Sequence, residues 1–328
     1  MKAIVDQNQK TELIERERRN PVGYQIEVQI LYAGLNRRDL MIRKRRGEET
    51  IPVTLGSDGV GIVTRLGDEA VRFNVGDSVL INPGLYWDNA TVAAPDTLEI
   101  VGYPNDGTFS DYYVQDEKYF ERKPSFLTDA EAGCLNLSAL TAFRAIFTKG
   151  QLKKGETVFI PGGASGVSTY LIQFAKAIGA RVITTSRNEE KLTQLAKLGA
   201  DFCLMTTSDW EVALSDESID LVIDSIGEAT FDRSLSVLKK GGRLVTFGAT
   251  TDDVVSFNVR QFFYQQQTIL GSTMGSREEL KSMLTFIETH KIHPIIDHIY
   301  QKTDYQEAFD QLKQSKHLGK IVLDFKIS

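Results

Sequence analysis

Between residues 158 and 271 the chain alternates short β-branched apolar runs with longer segments of 3.6-residue periodicity, and few folds tolerate that alternation. The apolar runs are Val158–Ile160, Val182–Thr185, Phe202–Met205, Leu221–Asp224, Leu244–Phe247 and Thr268–Gly271. Helical periodicity fills Val167–Ile178, Glu189–Leu198 and Phe231–Leu238. Strands that are apolar on both faces need cover on both faces, so the pattern predicts an α/β fold with a doubly wound parallel sheet.

The preceding third has another texture. Short alternating runs at Ile26–Tyr32, Gly59–Leu66 and Ser78–Ile81 are separated by turn-forming segments, which predicts a β-rich domain. After residue 276 come two helix-like stretches, Glu278–His290 and Tyr305–Ser315, and a closing strand, Lys320–Phe325. A chain of 328 residues exceeds one ordinary core, so two domains are expected.

Where the first apolar run of the α/β region turns into a helix, the sequence reads Pro161-Gly162-Gly163-Ala164-Ser165-Gly166-Val167-Ser168. A strand-to-helix turn of small residues offers close backbone approach, free N–H groups and the positive end of a helix dipole, as a dinucleotide pyrophosphate requires. Against the pattern G-x-G-x-x-G the turn supplies Gly163-x-Ser165-x-x-Ser168 and so departs at two positions. The next strand ends at Thr185-Ser186-Arg187, where the fingerprint expects a group facing the adenosine ribose. A carboxylate there would repel a 2′-phosphate. Ser186, Arg187 and Lys191 would instead bind one, so NADPH is the expected cofactor, the alternative being a solvated helix start.

Several ordered motifs resemble the medium-chain dehydrogenase/reductase superfamily, including its zinc-free quinone reductases. They are Ala33–Leu40, Pro52–Gly61, Val75–Val79, Gly107–Tyr112, the glycine turn, Gly241–Leu244 and Gly319–Leu323. The resemblance implies a GroES-like domain from residues 1–125 and 276–328, and a Rossmann domain at 126–275. It also implies nicotinamide contacts from Asn36 and Thr141, a ribose-bearing turn at Gly248 and Ala249, and a pyrophosphate contact from Lys320. Asn36 would orient the carboxamide or donate to the substrate oxygen, or else serve as a turn residue.

Zinc members carry catalytic ligands at the positions of Asn36, Ser57, Asp58 and Leu137, and a relay at those of Arg38 and Met41. Three of the four ligand positions lack a donor that zinc accepts, and the four cysteines of a structural zinc site are missing, so no metal is expected. The four histidines fall within residues 290–317 and form no ligand spacing. Asp39 reads as a turn residue. Enoyl-thioester reductases of the superfamily bear a tyrosine where this chain has Arg46–Thr50, which ranks quinones, free enones and other small carbonyls above thioesters as substrates. Tyr86, Trp87, Tyr112 and Tyr113 are either pocket or core aromatics. Hydride transfer would be direct, with the proton from water. The alternatives are a metal-free alcohol or ketone oxidoreductase, and a non-catalytic NADPH- and RNA-binding protein.

The net charge of −6 disfavours nucleic acid as a partner, although Arg37, Arg38, Arg43, Lys44, Arg45 and Arg46 form either a basic patch or a solvated helix end. Cys134 and Cys203 are expected to be reduced and buried. No run has the length of a membrane span and the N-terminus lacks signal-peptide character, so a cytoplasmic location is expected. The apolar strand Thr268–Gly271 predicts an edge-to-edge homodimer.

Overall fold

The structure, a computed structural model, describes residues 1–327 and divides into two compact units. One comprises Met1–Ser138 and the segment from Gly275 onward; the other is Ala139–Met274. Among the described residues no helix is long and apolar enough to cross a membrane.

The first unit is organised by the strand Gln25–Gly34, which pairs antiparallel with Val60–Leu66, Tyr112–Asp116 and Lys320–Asp324. Ser78–Ile81 and Phe120–Arg122 extend the sheet on one side and Ile296–Gln301 on the other. A separate three-stranded sheet joins Lys10–Glu15, Lys2–Gln7 and Val53–Thr54. Alternate inward side chains, among them Ile26, Val28 and Ile30 with Phe109, Phe120 and Phe325, make the core. Helix Asp129–Gly133 also belongs to this unit, because Gly34 lets it approach the central strand. A Cβ on Gly34 would lie 2.6 Å from the Cα of Cys134. The division therefore falls between Ser138 and Ala139, later than the expected 125/126.

The second unit holds six parallel strands in the order Phe202–Met205, Arg181–Ser186, Thr157–Ile160, Ile219–Asp224, Leu238–Thr246, Thr268–Gly271. Val158–Ile160, Ile183 and Val222 are fully or nearly fully buried, as the apolar runs require. Phe159 meets Trp210 edge to face at 4.9 Å inside this core. The chain order reverses beside Thr157–Ile160, and in such sheets ligands bind at the carboxyl ends of the strands flanking that point.

Candidate functional site

The strand ends of the second unit bring three turns together. Gly162 has φ +72°, a conformation that an L side chain adopts at a cost, and a Cβ there would lie 3.1 Å from Ile226. A Cβ on Gly248 would lie 3.3 Å from the carbonyl oxygen of Ser225. The glycine turn, the 225–227 turn and the 247–249 turn are thus neighbours along one edge. Asp224, fully buried, fixes the middle turn: its carboxylate accepts from the N–H groups of Ile226 (2.8 Å) and Gly227 (3.2 Å) and from the Ser234 hydroxyl (2.8 Å). Sequence reasoning missed Asp224. Its signal was a carboxylate ending the apolar run Leu221–Ile223.

Within the glycine turn, Gly162 N–H donates to Thr185 Oγ1 (3.0 Å) and Gly163 N–H to Thr185 O (2.9 Å), which pins the turn to the adjacent strand. Both departures from the glycine fingerprint have a structural reason. Ser165 is the N-cap of helix Gly166–Ala177; its extended backbone, φ −71° and ψ 159°, needs no glycine, and its hydroxyl accepts from Ser168 N–H at 3.1 Å. Ser168, nearly fully buried, adds a hydroxyl contact to Ser165 at 2.8 Å. The first-turn N–H groups of helix Gly166–Ala177, which begins at this cap, have no intrahelical acceptor and are the donors an anion at a helix N-terminus uses. The cradle fits a pyrophosphate.

At the neighbouring strand end, Ser186 is buried and its Oγ accepts from Asn188 N–H at 3.1 Å. Arg187 is exposed and, among the described residues, makes no hydrogen bond or ion pair, while Lys191 is half-buried at the start of helix Glu189–Leu198. Thr141 is buried in helix Asn136–Phe143, and Ala249 is exposed beside Gly248.

In the first unit the four positions of the zinc ligands do converge, but around protein cations. Asn36, buried before the turn Arg37–Leu40, donates from Nδ2 to Asp58 Oδ2 (2.9 Å) and to Gly34 O (3.3 Å). Its Oδ1 accepts from Lys320 Nζ (2.6 Å) and Ser138 Oγ (3.3 Å). Lys320 Nζ also donates to Leu35 O (2.8 Å), Ser138 Oγ (3.1 Å) and Asp58 Oδ2 (3.3 Å). Asp58 Oδ1 accepts Leu137 N–H at 2.6 Å. Arg38 donates to Ser57 Oγ (2.5 Å) and Val101 O (2.8 Å).

Lys320 is 3% exposed and directs its ammonium to four oxygens of its own unit. Both amide hydrogens of Asn36 are engaged within the unit, on Asp58 and Gly34. The donor set does not suit zinc: an amide engaged on both ends, a hydroxyl under a guanidinium, one carboxylate already paired with an ammonium, and an isobutyl side chain. Among the described residues no group of three or more His, Cys, Asp or Glu could hold a metal.

Asp39 accepts Asn36 N–H at 2.8 Å and is buried; burial raises its carboxyl to about 6 although Arg38 pulls the other way. Burial pushes the Cys134 thiol up to about 12, which makes it a core group, whereas Cys203 is half-buried, not fully buried as expected.

The basic segment resolves into structural contacts. Arg37 donates to Leu312 O and Ser315, Arg43 pairs with Asp6, and the buried Arg46 also pairs with Asp6, leaving Lys44 and Arg45 exposed. Trp87 and Tyr113 are core residues, Tyr86 is half exposed, and Tyr112 lies beneath Arg18.

Known proteins resemble the chain along nearly its whole length. The model of the alcohol dehydrogenase GroES-like domain matches residues 23–125, and that of zinc-binding dehydrogenases matches 166–289. A zinc-type alcohol dehydrogenase-like protein of Schizosaccharomyces pombe is 32% identical over 91% of this chain and 90% of its own length. An acryloyl-coenzyme A reductase of Sulfurisphaera tokodaii is 29% identical over 83% of each chain. The crystal structure of an NAD-dependent alcohol dehydrogenase superposes with a TM-score of 0.90 at 30% identity, covering 99% of both chains. With a GroES-like domain, a Rossmann sheet of the observed strand order and relatives of this kind, the chain belongs to the medium-chain dehydrogenase/reductase superfamily, as an oxidoreductase of its alcohol dehydrogenase-like type.

Proposed function

We propose that this chain is a zinc-independent, NADPH-preferring reductase of a quinone, an enone or another small carbonyl. The observation that carries the reading is the first unit's buried cluster, in which Asn36, Ser57, Asp58 and Leu137 offer zinc no adequate donor set. NADPH, when bound, supplies the hydride. The chain's own part is positioning: the glycine turn and the first N–H groups of helix Gly166–Ala177 bind the pyrophosphate, the turns at Ile226 and Gly248 flank it, and Arg187, with the Ser186 hydroxyl and Lys191 nearby, meets the 2′-phosphate. No carboxylate stands at that strand end to favour NADH. Water delivers the proton.

A second substrate class has its own support, since two relatives, at 29% and 27% identity, are acryloyl-coenzyme A reductases. An α,β-unsaturated thioester undergoes the same conjugate hydride addition as an enone. The strand Thr268–Gly271 ends the sheet with Ile269 and Leu270 half-buried, an apolar edge that a second copy would cover by strand pairing in a homodimer.

The test is NADPH oxidation over quinones, free enones, enoyl thioesters, aldehydes and ketones, in the presence of a chelator and with the zinc content measured. Turnover of a conjugated carbonyl by zinc-free protein is expected. About one zinc per chain, with activity lost on chelation, would overturn the reading.

A further inference from the structure

Lys320 lies on the strand Lys320–Asp324, paired on one side with Gln25–Gly34 and on the other with Ile296–Gln301. An ammonium in such a place costs several kcal/mol in lost hydration unless charge and hydrogen bonds replace the water. Here the replacement is complete: three N–H donors face four oxygens at 2.6–3.3 Å, one of them on the fully buried Asp58 carboxylate. Two of the acceptors, Asn36 and Asp58, occupy metal-ligand positions of the zinc relatives. The other two such positions are also engaged, Ser57 by the Arg38 guanidinium and Leu137 through its N–H on Asp58. A divalent ion at this point would stand against a buried ammonium.

We propose that Lys320 is an internal cation that takes the place of the metal: its ammonium neutralises Asp58 and fixes the orientation of the Asn36 amide. The inference rests on the zinc-independent reading of the same site but asks more of it, namely that one side chain supplies the missing positive charge. Lys320 is thereby a positioning residue. With Oδ1 of Asn36 facing an ammonium, the amide cannot flip without turning its NH2 group toward that cation.

The test is a double-mutant cycle on the cofactor-free protein with Lys320→Met, Asp58→Asn and the combination, read as thermal midpoint and as NADPH affinity. Each single variant leaves one buried charge unpaired, whereas the double variant removes both. The combined loss in midpoint should therefore be no more than about half the sum of the single losses. Additive losses, or a Lys320→Met protein with an unchanged midpoint and about tenfold weaker NADPH binding, would overturn the proposal in favour of a cofactor contact.

A second measurement needs no variant. In wild-type protein treated with acetic anhydride, Lys320 should be acetylated roughly tenfold more slowly than exposed Lys44, to the same degree with and without NADPH. Reaction at the rate of Lys44, with protection only by NADPH, would overturn the proposal. Zinc content separates the two levels: zinc-free protein with additive losses removes the internal cation alone, whereas one bound zinc per chain removes both readings.

Discussion

The glycine turn of the second unit and the Asn36 cluster of the first handle polar groups in opposite ways. At the turn, the first N–H groups of helix Gly166–Ala177 have no acceptor within their helix, and the residues around them are small. Around Asn36 the amide hydrogens and the Lys320 ammonium are engaged, and the acceptors interlock. The first arrangement is open and gains its missing hydrogen bonds from a ligand. The second is closed, and its interactions contribute to the folded state before any ligand arrives. Substitutions at the two places should therefore be read by different instruments, affinity for one and stability for the other.

The largest expected effect lies in the first unit and depends on pH. Glu27 is fully buried; burial alone would raise its carboxyl, but hydrogen bonds from Arg18, Arg65 and Thr64 outweigh it and hold the group at about 2. A carboxyl lowered on folding stabilises above its unfolded value of about 4.5 and loses that contribution as pH falls toward 2. Glu27→Gln should cost on the order of 2–3 kcal/mol at pH 7, allowing for the partly exposed arginines, and should flatten the acid limb in denaturant unfolding from pH 5 to 2. Asp39 has the opposite sign. With its carboxyl raised to about 6, the penalty appears as pH rises from 3.8 to 6, so Asp39→Asn should lessen the fall in stability over that window. An unchanged pH profile in both variants would break the picture of a closed, charge-tuned first unit.

Next in size is Arg187→Ala. Loss of a charge-assisted bond to the 2′-phosphate should weaken NADPH binding by about 1.5–3 kcal/mol, roughly ten- to a hundredfold, with NADH affinity and the thermal midpoint nearly unchanged. Equal weakening of both cofactors in a titration would show that this strand end does not read the phosphate.

The smallest effect sharpens the contrast at the turn itself. Ser165→Ala removes the acceptor for Ser168 N–H and should cost about 1 kcal/mol of stability, measured by urea unfolding, together with weaker binding of either cofactor. A change in stability with no change in cofactor affinity would separate the cap from the binding cradle.

How much of this was legible in the sequence differs between the units for the same reason. Phe202–Met205 and Thr268–Gly271 match the observed strands residue for residue, and the helices adjoining the glycine turn match within a few residues. Buried parallel strands announce themselves as continuous apolar runs. Strand Ile296–Gln301 was not foreseen, because Asp297, His298 and Ile299 are exposed and its pairing with Lys320–Asp324 is set by contacts distant in sequence. The candidate site followed suit. Small residues in a strand-to-helix turn have a local signature, whereas the inward turn of Lys320 depends on Asn36 and Asp58, 284 and 262 residues away. The absence of adequate zinc donors could be read from residue types alone, but not what fills their place.

Lys320 belongs to a strand hydrogen-bonded on both sides, so its positive charge is covalently part of the polypeptide. Such a charge is governed by no metal-binding equilibrium. It cannot be chelated, exchanged for a competing ion or depleted by scarcity in the surroundings, and it is in place as soon as the chain has folded. A catalyst built around it would mature without a metal-loading step, and its active fraction would follow the amount of folded protein alone.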